Sequence, residues 1–291
     1  MKGRRLRTAT TCSRQKGSTV RFGILGRLEV VNGDLEYTPG SPKLRQLLAL
    51  LLCSPNKALS TDAIIDELWC DAPPRSVTTT LQTYVYQLRK AMSQHFPGHF
   101  SGESLVTCSP GYVLRVPEDR IDSISFERYN QEGREHFYAG HPVEARAKLN
   151  AALALWRGDA MADVQRGHRL QAHAVGLEEQ RIECLQLRIA AEMRLGRQHE
   201  CISELRSIVA TYPLNEWFYA QLMCALTLVG RRGEALEAYQ DLRRVLTEEL
   251  GLDPSPELQR FQMEILNADA QTLIDRVPDS PGSLTMSEIV R

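Results

Sequence analysis

The spacing of apolar residues divides the chain into a mixed first half and a helical second half. From Val20 to Val31 (VRFGILGRLEVV) β-branched and aliphatic residues dominate, and Asn32-Gly33-Asp34 follows as a turn signal, so a strand pair is expected there. Ser41-Pro42 then opens an apolar-periodic run, Lys43 to Cys53, with Ser as N-cap and Pro at the first helical position, and Pro55-Asn56 ends it. Ser60 caps the next helix, STDAIIDELW, in which Ile64, Ile65, Leu68 and Trp69 face a core, and Pro73-Pro74 stops it. A third helix runs from about Ser76 to His95. Its apolar positions Leu81, Tyr84 or Val85, Leu88 and Met92 recur at steps of three and four and form one buried stripe. Leu105 to Val116 reads as two short strands around a Ser-Pro-Gly turn. Past Asp122 the pattern is helical almost throughout.

The face of the third helix opposite its stripe carries Thr78, Thr79, Gln82, Thr83, Tyr86, Arg89 and Lys90, and no acid occurs from Arg75 to Phe100. Strands, three helices and a closing hairpin form the order of a winged helix-turn-helix, whose third helix enters the DNA major groove. There Gln can read adenine, Arg can read guanine, and Thr suits phosphates and thymine methyls. A polar helix face on its own is usually just solvated. The order of elements, the acid-free helix and the hairpin together favour DNA.

The second half repeats. Gly140-His141-x-x-Glu144-Ala145, Gly196-Arg197-x-x-Glu200-Cys201 and Gly230-Arg231-x-x-Glu234-Ala235 share a core, with Leu149, Leu205 and Tyr239 at one matched place downstream. The last two glycines lie 34 residues apart, the tetratricopeptide period. The small residues Ala145, Cys201 and Ala235 let paired helices approach, and Pro213 falls where such a unit ends. The first unit is less regular: 56 residues separate Gly140 from Gly196, with a long helix expected around Glu178 to Leu195. Trp156 and Trp217 are read as packing residues between repeat helices. A generic helical bundle is the plainer alternative.

Charge sharpens this division. The 291 residues carry 35 basic and 36 acidic side chains, yet Met1 to Val116 holds 15 basic against 8 acidic, and the remainder is acidic. Residues 1 to 21 alone contribute seven basic side chains and no acid, so a disordered basic tail is expected over 1–19 and the winged helix itself is neutral. No stretch approaches a membrane span, and the basic N-terminus is followed by Thr, Ser and Gln, not by an apolar signal region, so a cytoplasmic, nucleoid-associated protein is expected. The seven cysteines are scattered without a C-x-x-C pair. No phosphate-cradling loop, nucleophile elbow or H-E-x-x-H occurs, and His168 and His173 are five apart. No enzyme activity, metal or cofactor is expected.

Ser41-Pro42-Lys43-x-Arg45 followed by LLALLL, then LSTDAIIDELW, PPRS, TLQTYVYQLRKAM and TCSPGYVLRV resembles the Streptomyces antibiotic regulatory protein family over roughly 20 to 116. Where that family often has Asn before Thr-Leu-Gln, this chain has Thr79, which bears on base preference there. LVGRRGEALEAYQDLRRVLTEELGLDPSPELQ resembles the closing segment of the bacterial transcriptional activator domain. The resemblance implies a mainly α protein. A winged-helix DNA-binding domain with a small sheet and hairpin wing would span 20–116. A tetratricopeptide-like all-α activator domain would span 121–268, and a tail 269–291. The chain ends soon after Leu266 with no ATPase domain following, which suggests the small stand-alone type. The function implied is a sequence-specific DNA-binding activator of a secondary-metabolite gene cluster. Its partners would be double-stranded DNA with promoter direct repeats, RNA polymerase holoenzyme and a second copy of itself, with no membrane. The DNA-binding residues are expected to be Arg75, Thr78, Thr79, Gln82, Thr83, Tyr86, Arg89 and Lys90, with Thr107, Ser109, Tyr112 and Arg115 from the hairpin. The alternatives are a tetratricopeptide-type adaptor and a ligand-sensing regulator.

Overall fold

The computed structural model describes residues 19–70, 72–100 and 104–267, so the basic and C-terminal tails fall outside it, save for Thr19. The chain forms two compact units, one of residues 1–122 and 158–173, the other of 123–157 and 174–291.

In the first unit, β1 (Arg21–Gly23), β2 (Glu29–Asn32) and β3 (Leu35–Tyr37) make an antiparallel sheet in the order β1-β2-β3. The expected strand pair is therefore three strands, because the apolar run breaks at Ile24–Leu28. Ile24, Leu25 and Leu28 are fully buried there, but their backbone bonds elsewhere than to a sheet partner. Ile24 and Leu25 amides donate to the Asp122 carboxylate at 2.9–3.0 Å. Leu28 N–H donates to Asp163 Oδ1 at 2.8 Å, and Met161 and Ala162 amides donate to the Ile24 and Gly26 carbonyls. Residues 158–173, inside the stretch expected to be helical repeat, thus complete the first unit's backbone accounting.

α1 (Pro42–Leu52) begins at the expected proline and buries Leu47, Leu48, Leu51 and Leu52. Ser60 caps α2 (Thr61–Trp69) by accepting the Ala63 amide. Within α2, Ile64 and Leu68 are buried as expected, while Ile65 and Trp69 are half-buried and Glu67 is almost fully enclosed. The Glu67 carboxylate accepts the amides of Gly167 (2.7 Å), Arg169 (2.8 Å) and Leu170 (3.3 Å). This caps α6 (His168–Arg194), which therefore starts at His168 and not near Glu178. A side chain at Gly167 would sit 2.5 Å from the Glu67 carbonyl, so only glycine fits that approach.

α3 (Val77–His95) buries Leu81, Val85, Leu88 and Met92, which settles the Tyr84-or-Val85 alternative. Tyr84 is half-buried and stacks on Trp69, with centroids 6.0 Å apart. β5 (Leu105–Cys108) and β6 (Gly111–Leu114) form the hairpin, and the short β4 (Leu59–Ser60) pairs with β6, giving the order β4-β6-β5.

In the second unit, α4 (Asp122–Tyr138) pairs in sequence with α5 (Pro142–Leu153), α6 with α7 (Gln198–Thr211), and α8 (Glu216–Leu228) with α9 (Arg232–Leu250); α10 (Pro256–Asn267) follows. The three repeated glycines end the first helix of each pair with φ of 74–81°, a left-handed conformation that an L side chain adopts only with strain. Each turn is closed alike: the residue after the glycine donates to a carbonyl five residues back, as in His141 to His136, Arg197 to Glu192 and Arg231 to Leu226. Ala145, Cys201 and Ala235 are buried, as are Leu149, Leu205 and Tyr239. Trp217 is a core residue, and half-buried Trp156 meets Phe126 edge-on under the Arg181 guanidinium.

Candidate DNA-binding surface

The exposed face of α3 follows from its stripe. With Leu81, Val85 and Leu88 inward, helical geometry turns Thr78, Thr79, Gln82, Thr83, Tyr86 and Lys90 outward, and all six are exposed, Tyr86 at 63%. An exposed tyrosine on such a helix has no packing role. The first turn of α3 has no acid and no side-chain cap, so its amides add a partial positive charge beside exposed Arg75. The Thr83 hydroxyl donates to the Thr79 carbonyl at 2.9 Å, which leaves its oxygen as an acceptor and its methyl outward.

The hairpin stands beside the start of this helix. Thr78 and Gln82 of α3 line, with Thr107, Ser109 and Tyr112, a notch of about 290 Å³ between helix and wing. Besides the pairing of β4 with β6, contacts at the tip and along β5 hold the wing in place. At the tip, the Thr61 amide and hydroxyl donate to the Pro110 carbonyl at 3.2 and 3.3 Å. Along β5, Arg89 Nε donates to the Leu105 carbonyl at 2.8 Å and Nη2 to the Thr107 hydroxyl at 2.9 Å.

Three residues read from sequence as DNA contacts are placed otherwise. Arg89 is half-buried against β5, with its fork turned to the wing and not outward with its neighbours. Tyr112 is 7% exposed and belongs mostly to the core. Arg115 is exposed but sits at the wing's root, lining a separate depression with His99 and Arg120, away from Thr78 and Gln82. Of the remaining expected residues, Thr78 and Gln82 meet Thr107 and Ser109 at the notch, and Arg75, Thr79, Thr83, Tyr86 and Lys90 are exposed.

The Ser-Pro-Lys-x-Arg block, which lies outside that surface, is a clamp. Lys43 Nζ donates to the Leu68 carbonyl and to Gln46, whose amide donates to the Glu67 carbonyl at 2.8 Å. Arg45 donates to the Pro39 and Asp163 carbonyls.

Comparison with known proteins gives the family. The family described as "Transcriptional regulatory protein, C terminal" matches residues 36–113, and the one described as "Bacterial transcriptional activator domain" matches 121–266. The chain is 37% identical to Regulatory protein DnrI of Streptomyces peucetius over 92% of its own length and 99% of that protein's. It is 34% identical to Transcriptional regulator RedD of Streptomyces coelicolor, over 91% of this chain and 74% of RedD. The chain belongs to the Streptomyces antibiotic regulatory protein family. It is a DNA-binding transcription activator. Regulatory protein AfsR of Streptomyces griseus matches at 35% identity, with this chain spanning 26% of AfsR's length. Among solved structures, Mycobacterium tuberculosis EmbR in complex with a low affinity phosphopeptide superimposes with a TM-score of 0.79 at 30% identity, over 88% of this chain and 68% of EmbR's. The family's winged helix and helical activator domain correspond to the elements described above. Among the described residues no helix is long and apolar enough to cross a membrane.

Proposed function

We propose that this family member activates a secondary-metabolite gene cluster by binding direct repeats in a promoter and recruiting RNA polymerase holoenzyme. The observation that carries the reading is the outward, acid-free polar face of α3 set beside the pinned wing. Thr78, Thr79, Gln82 and Thr83 face base edges, with Gln82 suited to a bidentate contact to adenine. Arg75, Lys90 and the wing's Ser109 contact backbone phosphates, which position the protein without reading sequence. Direct repeats require two copies head to tail, since a two-fold dimer would read a palindrome. The acidic helical unit supplies the surface for polymerase. The protein acts at the nucleoid and catalyses no reaction.

Footprinting of the full chain on promoters of adjacent biosynthetic genes, with and without polymerase, tests this. Protection of two equally oriented half-sites, extended when polymerase is added, is expected. Protection of an inverted repeat, or none that falls as salt rises, would refute it.

A groove of about 350 Å³ in the helical unit favours a second reading, a ligand-sensing regulator. Trp156 and Tyr212 form its walls and the buried Arg188, forked onto Glu204, its floor. A saturable thermal shift with a pathway metabolite would support it, and no shift across the pathway's products would count against it.

A further inference from the structure

The guanidinium of Arg89 occupies an unusual place for a recognition-helix residue. β5 is an edge strand, because the sheet order β4-β6-β5 leaves its outer side unpaired. The Ser104 carbonyl points inward and accepts the Arg115 amide, so by the alternation of strand carbonyls the next one, that of Leu105, points outward. That outward carbonyl is the one Arg89 Nε reaches at 2.8 Å. Two residues along the same edge, the Thr107 hydroxyl takes Nη2 at 2.9 Å. A planar, rigid fork makes both contacts from two nitrogens held in fixed geometry, which a lysine's single flexible ammonium does not offer. Arg89 thereby acts as a short substitute strand, satisfying an edge acceptor that would otherwise face solvent.

We propose that Arg89 is a positioning residue and reads no base: it fastens the wing to the recognition helix, so that the groove contact of α3 and the backbone contact of the hairpin form one rigid reader. The proposal rests on the DNA-binding reading above and assigns within it a role opposite to the one the sequence suggested. Three features agree. Arg89 is half-buried while Tyr86 and Lys90 beside it are exposed. Its hydrogen-bond partners belong to the wing's edge strand, whereas Thr78 and Gln82 of α3 line the notch beside the hairpin. The wing's tip is held separately, through Thr61 and Pro110, so removing Arg89 unfastens β5 from α3 and leaves the hairpin itself paired.

The full-length protein and its promoter duplex provide the test, through Arg89→Ala, Thr107→Val, the double variant and Gln82→Ala. For each, affinity is measured on the preferred site and on sites changed one base pair at a time, together with hydroxyl-radical protection of the strand under the wing. Arg89→Ala is expected to weaken all sites alike, by roughly tenfold, and to erase protection under the wing while leaving the ranking of base changes intact. Thr107→Val should act in the same direction, and the double variant should be no weaker than Arg89→Ala alone, because the contact that Thr107→Val removes is one of the two that Arg89→Ala removes. Arg89→Lys should restore affinity only in part.

If instead Arg89→Ala flattens the preference at one base pair, or its effect adds in full to that of Thr107→Val, Arg89 reads DNA and the proposal is wrong. Circular dichroism of each variant excludes unfolding as the cause of lost affinity. Gln82→Ala separates the two levels of the argument. A loss of preference in Gln82→Ala supports α3 as the reader whatever Arg89 does, and wild-type protein without sequence preference would overturn the underlying reading instead.

Discussion

Gln82 stands one turn beyond Thr78 and Thr79 on the exposed face of α3, and its carboxamide can donate and accept at once. Replacing it by Ala should cost roughly 1–3 kcal/mol on the preferred site and relax preference at one base pair, as competition binding with single-base variants would show. Periodicity exposed this residue, because a stripe at Leu81, Val85, Leu88 and Met92 leaves the positions between them outward. The same periodicity does not show where the Arg89 fork turns. Its partners Leu105 and Thr107 come from a strand after the helix, and spacing along one helix carries no information about them. The burial of Tyr112 escapes the same reading for a related reason: the hairpin is half core, since β4 pairs with it. Thiols give a second check at this scale. Burial pushes Cys184 and Cys224 up to about 12 and Cys201 up to about 11, and the thiolate is the reactive form. At pH 8 a thiol reagent should therefore modify exposed Cys70 rapidly and those three only on unfolding. Rapid reaction of Cys201 in the folded protein would show that α7 does not pack as described.

At the scale of elements, the repeated turn was legible because glycine, a small residue and a large apolar residue recur in fixed order. Gly140, Gly196 and Gly230 each adopt φ near +75°, so Gly196→Ala should destabilise the helical unit by about 1 kcal/mol, measurable by denaturant titration. The start of α6 was not legible. Its cap is the Glu67 carboxylate, 100 residues earlier in the chain than Gly167, and no local Ser, Thr or Asp marks the boundary. Glu67→Ala removes an acceptor from three amides and should cost roughly 1–3 kcal/mol, with the loss of protection from hydrogen exchange concentrated at 167–170. Unchanged exchange at those amides would contradict the cap. The break between β1 and β2 has the same origin, since Asp122, Met161, Ala162 and Asp163 supply the missing partners.

For the whole molecule, the near balance of 35 basic and 36 acidic residues hides a basic N-terminal segment, a neutral winged helix and an acidic remainder. Deleting residues 1–18, which lie outside the described residues, should lower DNA affinity, reduce its salt dependence and keep base preference; loss of preference would assign those residues a reading role. The winged helix also extends beyond its contiguous sequence. Residues 158–173 supply hydrogen bonds to Ile24, Gly26, Leu28 and Glu67, so a fragment ending at Asp122 should melt well below the full chain. The central claim is that α3 beside its wing reads a specific DNA sequence. Selection of full-length protein on randomised duplexes, run in parallel with Gln82→Ala, tests it most directly. One enriched half-site repeated in the same orientation is expected, with information lost at a single position in the variant. Enrichment of no sequence, or of an identical motif by both proteins, would contradict it.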